Sequence, residues 1–317
     1  MRSVSVFWSA GIALVVCGAA GVVCGDPLPG EVLKFNQQPM VATPVGGSIY
    51  YGHDELSTAY LQDPTSGFYV GQFMADDFAD KFSSPVVHLT WWGSYLHPST
   101  AAGVSRFLIA FENDVPADPT GNFSRPGQVL LPQVVAKGPL APGSGTFTET
   151  FVRPPDPLTG EALYKYNAEL ALPFAQKADT VYWLKIVALV DPLEGEIAWG
   201  WHNRDYTLPN PLASRSPAVI PGEKLQGFLP PTGEPIWHFQ DDAVGGLVYV
   251  SVPAGGLVGN IDQANVAPTH YVSPFDGPDM IGNYSKDLAF QLYTTPEPAS
   301  LLLLAGSVLL LARIRRH

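Results

Sequence analysis

The chain has 317 residues, of which 46% are apolar, and a formal charge of −12. Its 29 acidic residues against 17 basic ones exclude a protein that grips nucleic acid or anionic lipid head groups by charge. Gly and Pro, 31 of each and without a period, leave little room for long helices.

At the N-terminus Arg2 precedes an apolar stretch over residues 4–16, and small residues follow to Gly25. That order predicts a secretory signal peptide, residues 1–25, forming a signal helix and cut before Asp26. Cys17 and Cys24 each follow a valine, where a lipobox needs a smaller residue, so lipidation is disfavoured. Both cysteines fall inside that segment, so the exported body folds without disulfides and relies on its core. Residues 26–296 hold 28 acidic and 13 basic residues, a net of −15. Such a body is compatible with solubility and with divalent cations.

Between the breakers lie short alternating or apolar runs that predict strands. In chain order they are 86–95, 105–112, 129–137, 146–152, 163–172, 181–189, 197–204, 247–252 and 287–293, with weaker candidates at 68–73 and 77–82. About ten strands with Gly/Pro turns read as an all-β, antiparallel two-sheet β-sandwich, jelly-roll-like, over residues 34–294. The rigid Pro-rich stretches at 153–157 and 230–235 read as surface loops.

Chemistry-bearing motifs are sparse. His53, Asp54 and Glu55 are adjacent, and neighbours on a strand point to opposite faces, so a solvated loop is the plain reading. The remaining histidines of the body are scattered singly, with no cysteine to complete a zinc site. No nucleophile elbow, P-loop or dinucleotide fingerprint occurs. Hence no catalytic residue is assigned, no cofactor is expected, and the chain reads as a non-enzyme. Two acidic doublets, Asp76-Asp77 and Asp241-Asp242, are the candidate metal ligands, because paired carboxylates with backbone carbonyls suit calcium. The competing and favoured reading is that one Asp of each doublet braces a turn. Trp91 and Trp92 are the candidate ligand-binding pair. Alternation sends one ring into the core and leaves the other for a sugar face, although core packing suits most tryptophans of a sandwich.

The tail reads Pro296-Glu297-Pro298, an uncharged apolar run over 299–312, then Arg313, Arg315 and Arg316. At about 1.5 Å per residue the run makes roughly 21 Å of helix, short of the hydrocarbon core of about 30 Å. Snorkelling arginines and local thinning let such a helix cross, with the basic end cytoplasmic. A transmembrane helix over 299–312 is therefore expected.

This order resembles the PEP-CTERM sorting signal, here residues 296–317. The resemblance implies an exosortase-type partner, export, a membrane or cell-surface location and an association with exopolysaccharide. A second likeness is carried by Ala75-Asp76-Asp77-Phe78, Trp92-Gly93-Ser94-Tyr95 and Phe111-Glu112-Asn113-Asp114, and later by Ala198-Trp199-Gly200-Trp201 and Asp287-Leu288-Ala289-Phe290. It is similar to a domain of unknown function of exported planctomycete-type bacterial proteins. Together these imply an exported structural or binding protein. The alternative is an exported polysaccharide hydrolase with paired carboxylates, which a Trp-lined groove holding clustered Asp and Glu would favour.

Overall fold

The computed structural model describes residues 27–296 except 46–47, 97–102, 117–123, 156, 158–159, 196, 206–207, 209, 214–242, 254–256 and 269–286. The expected signal peptide, the transmembrane run 299–312, Asp241 and Asp242 lie outside the described residues. Among the described residues no helix is long and apolar enough to cross a membrane.

The strands are β1 (Val32–Gln37), β2 (Thr43–Val45), β3 (Ser48–Tyr50), β4 (Asp54–Leu56), β5 (Thr58–Asp63), β6 (Phe68–Phe78), β7 (Val86–Tyr95) and β8 (Arg106–Val115). They continue as β9 (Arg125–Lys137), β10 (Thr146–Arg153), β11 (Leu163–Phe174), β12 (Tyr182–Val190), β13 (Trp199–His202), β14 (Val244–Ser251), β15 (Ile261–Pro268) and β16 (Phe290–Thr294). A single 3₁₀ turn, Pro192–Glu194, accompanies them among the described residues. The chain is nearly all β, as its breakers dictate.

The architecture corrects one expectation. Instead of two separate antiparallel sheets, β2 and β3 aside, the described strands join one large mixed sheet. Its path runs β1-β16-β7-β11-β10-β9-β8-β12-β5-β6-β14-β15, with parallel contacts at β10–β9 and β12–β5. The sheet folds over so that β1, β16, β7, β11 and β10 face β8, β12 and β6, a sandwich-like arrangement. Ring contacts cross the gap: Trp91 of β7 meets Phe107 of β8 edge-on at 5.2 Å, and Phe111 of β8 stacks on Phe174 of β11 at 4.1 Å. Phe35 of β1, Phe78 of β6 and Phe290 of β16 extend this core.

The other face of β8 and β12 is covered too. Leu108, Trp183, Val187 and Leu189 pack with Phe73 of β6 and with Val244, Val248 and Val250 of β14. Alternate residues of β12 thus enter two cores, and every residue of the strand is buried. That explains why 181–189, Lys185 apart, reads as an apolar run rather than an alternating one.

The fold is pinned where β13 pairs both β7 and β4, and β4 runs through Ser57 into β5. Ser57 Oγ donates to the Ile186 carbonyl at 2.5 Å and Thr58 Oγ1 to the Trp199 carbonyl at 2.8 Å. Gly93 sits at this seam because a Cβ there would lie 2.3 Å from the Gly200 carbonyl oxygen.

The two ends of the body meet at one corner. β1 and β16 pair antiparallel, with Val32 opposite Thr294. Residues on either side of the body therefore leave from adjacent points on one sheet.

Candidate functional site

Asp76 and Asp77 do not flank a loop. They lie inside β6, whose predicted break into 68–73 and 77–82 is absent, and as strand neighbours they point to opposite faces. The doublet therefore cannot hold one ion with both carboxylates. Asp76 is fully buried and accepts hydrogen bonds from the backbone N–H of Leu288 at 2.7 Å and of Asp77 at 3.0 Å. With its amide nitrogen turned inward, Gln37 donates to the same carboxylate at 3.2 Å and to the Leu288 carbonyl at 3.0 Å. Burial first, and the Asp287 carboxylate second, push the Asp76 carboxyl well above its ordinary range; the Leu288 N–H and the Arg204 guanidinium oppose that. Arg204 itself pairs with Asp287 at 3.1 Å. Asp76 is thus a brace between β6 and the segment entering β16, and the carboxylate it approaches is Asp287.

The tryptophan pair obeys alternation, but neither ring reaches solvent. Trp91 enters the main core, stacked on Tyr166 at 5.4 Å. Trp92 points the other way and is also fully buried, packed with Leu163, Ala289, Val41 and Val152. The expected exposed sugar face on Trp91 or Trp92 is therefore absent, because flanking segments cover the second face. Trp183, Trp199 and Trp201 are buried as well, their N–H groups donating to Asp114, the Tyr166 hydroxyl and the Ala289 carbonyl. His53, Asp54 and Glu55 are no solvated loop either: Asp54 begins β4, with His202 Nδ1 3.1 Å from its Oδ2.

Exposed aromatic surface appears elsewhere. At the margin of the main core Phe151 of β10 is 57% exposed and meets Tyr164 of β11 edge-on at 5.9 Å. Tyr164 meets Tyr95 of β7 at 5.4 Å. The Tyr95 hydroxyl donates to Glu149 at 2.5 Å, and Lys137 Nζ pairs with the same carboxylate at 3.0 Å. A row of three rings with a charged rim results, in which Phe151 is exposed and Tyr95 and Tyr164 are half-buried against the main core. Sequence reading missed it because Phe151 and Tyr164 sit 13 positions apart and meet only through the β10–β11 register.

A groove of about 370 Å³ runs between β4, β6 and the β14–β15 hairpin, lined by Glu55, Gln72, Phe73, Gly246, Asn265 and others. Glu55 is the ionisable residue among its described lining residues, and no tryptophan is among them.

Besides the Lys34–Asp80 pair, 3.6 Å apart and fully buried, two further buried ionic clusters stand out. Lys185 of β12 reaches Glu112 of β8, donates to Gln263 of β15 at 2.6 Å and lies 4.2 Å from the Phe73 ring centre. On the outer face of β7 and β11, His88 Nδ1 lies 2.6 Å from Glu169 Oε1 and 3.3 Å from Glu31 Oε2. All three side chains are nearly inaccessible. The sequence showed His88 as a single scattered histidine, since its two partners come from distant positions.

No curated protein and no solved structure matches the chain. A family model, by contrast, matches residues 33–241, and β16 from beyond that match lies between β1 and β7 in the same sheet. The chain belongs to the family described as a domain of unknown function, DUF7901.

Proposed function

We propose that this is an exported protein, sorted by a C-terminal PEP-CTERM signal and held at the membrane or cell surface, where it serves a structural or binding role in the exopolysaccharide layer. The observation that carries the reading is the meeting of the chain ends. Thr294 pairs with Val32, so a tail beginning at Pro296 leaves beside the mature N-terminus, and the rest of the sheet extends away from that corner. A body tethered there keeps its loops and its Phe151–Tyr164–Tyr95 row free for contact. That row takes over the sugar-contact role first assigned to Trp91 and Trp92.

The hydrolase alternative has less support. A glycosidase needs two carboxylates facing one cleft about 5–10 Å apart. The groove beside β14 offers Glu55 alone among its described lining residues.

The test is fractionation of cells expressing the intact chain and a chain truncated after Thr295. The intact protein should sediment with membranes or surface material and the truncated one should be released as soluble exported protein. Retention of both in the cytoplasm, or equal membrane association of both, refutes the reading.

A further inference from the structure

We propose that Glu31, His88 and Glu169 form a binding site for a divalent transition-metal cation of the zinc type. The site clasps the segment ahead of β1 to the outer face of the sheet.

Each ligand is placed by a separate feature of the chain. Leu28-Pro29-Gly30-Glu31 is a tight turn in which the Glu31 N–H donates to the Leu28 carbonyl at 3.0 Å. Gly30 holds φ at +95°, the conformation that suits Gly after Pro in a type II turn. The turn is locked by the Leu28 N–H, which donates to Glu31 Oε2 at 2.8 Å, and this aims the carboxylate back over the sheet. His88 and Glu169 are register partners on β7 and β11, so their side chains stand side by side on one face. Tyr293 of β16 packs edge-on against the imidazole at 5.1 Å and fixes its plane.

The three ligand atoms, one imidazole nitrogen and two carboxylate oxygens, lie within 4.8 Å of one another. Ligands held at about 2.0–2.2 Å around one ion stand roughly 3–3.6 Å apart, so small rotations convert this triangle into a coordination set.

Charge and hydrogen-bond counting make the demand for a cation specific. Nδ1 can donate one proton, yet it faces two carboxylates. Those carboxylates are 4% and 2% accessible, so little water reaches either of them. A divalent ion balances the charge of both carboxylates and takes the Nδ1 lone pair. One imidazole with two carboxylates suits zinc-like ions better than calcium, which takes six to eight oxygens. Pro29 and Gly30 of the turn are exposed, so the turn is the side of the cluster nearest solvent.

The test uses the untagged full chain, purified, treated with chelator and titrated separately with Zn²⁺ and with Ca²⁺ by calorimetry and by competition against a chromophoric chelator. One equivalent of Zn²⁺ should bind in preference to Ca²⁺ and raise the Tm. Glu31→Gln and Glu169→Gln should each weaken that site by at least the roughly 10–100-fold that loss of an outer-shell partner costs elsewhere. Glu31→Gln changes a turn outside the sheet, so its metal-free Tm should stay near wild type and keep the comparison clean. Absence of a zinc-dependent Tm shift in the wild type, a preference for Ca²⁺, or an unchanged zinc equivalent in Glu31→Gln would overturn the proposal. Each of these outcomes is independent of where the protein is sorted.

Discussion

Replacing Lys185 by Met removes the ammonium on which buried Glu112 rests, while keeping most of the volume of the side chain. Both groups are fully buried between β8, β12 and the β14–β15 hairpin. Burial draws the lysine below its ordinary range, and the Glu112 charge opposes that; burial likewise raises Glu112, opposed by Lys185. Breaking a buried pair on one side costs about 3–5 kcal/mol, because the remaining charge loses its partner but not its desolvation. At about 2–4 °C per kcal/mol for a chain of this size, Lys185→Met should lower the Tm by roughly 6–20 °C. Removing both charges is a different perturbation. Glu112 Oε2 has no hydrogen-bond partner among the described residues even with Lys185 in place, so the native pair is incompletely compensated. The double variant Lys185→Met/Glu112→Leu leaves no charge behind and should recover most of the loss, ending near wild type or up to about 1–4 kcal/mol above it.

The cycle also carries a pH signature. A group whose folded pKa is raised favours the folded state below its unfolded pKa and loses that contribution as the pH rises through its folded value. Glu112 is such a group, and without Lys185 it is raised further. The Lys185→Met penalty should therefore be largest at neutral pH and shrink towards pH 4, as the raised Glu112 carboxyl takes up its proton in the folded state. Chemical denaturation of all four proteins at both pH values measures this. A single-variant cost below about 1 kcal/mol at pH 7, or a double variant as unstable as the sum of the singles, refutes the reasoning.

Other outcomes follow from the same packing. Trp91→Ala should cost about 3–5 kcal/mol as a core cavity, read by denaturant titration, and retention of wild-type stability would contradict its burial. Phe151→Ala should leave the Tm within a few degrees but weaken retention on native exopolysaccharide about tenfold, the equivalent of about 1.4 kcal/mol for one lost stacking contact. Asp76→Asn should be tolerated at neutral pH, since its acceptor oxygen still serves the Leu288 N–H. Asp76→Ala leaves that N–H unsatisfied and should cost about 1–3 kcal/mol. Because the Asp76 carboxyl is raised, its contribution in the wild type is fullest below its ordinary value of 3.8 and is lost as the pH rises through the folded value. Stability curves of the wild type and Asp76→Asn should therefore diverge on acidification, the wild type gaining relative to the variant. Parallel curves would remove Asp76 as the titrating group.

Much of the strand content was legible, for identifiable reasons. The run 181–189 has no breaker and no alternation, which is how a strand buried on both faces reads, and β12 is that strand. The interval 129–137 was found although Pro126 and Pro132 interrupt β9. β9 tolerates them because, apart from two residues paired with β10, its second edge carries no ladder. The break expected between 68–73 and 77–82 failed because an acidic residue there looks like a turn former, whereas buried Asp76 has backbone and amide donors that let the strand continue. β4 and β5 were missed because they are short and carry no distinct period, and their role comes from the seam they complete with β13 and β12.

The Glu31–His88–Glu169 cluster was illegible for a different reason, which bears on how to read such chains. No spacing rule links three ligands at positions 31, 88 and 169, since short metal motifs rely on one helix or one turn to bring ligands together. Here the link is the hydrogen-bonded ladder β1-β16-β7-β11. The His88–Glu169 half follows once β7 and β11 are registered, because alternation then puts both side chains on one face. The Glu31 half needs β16 as well, inserted between β1 and β7 from the far end of the chain. Removing β16 should therefore separate Glu31 from His88 even with the rest of the sheet intact. A chain ending at residue 286 should then lose zinc-dependent stabilisation, and retained stabilisation would show that the turn at residues 28–31 docks without β16.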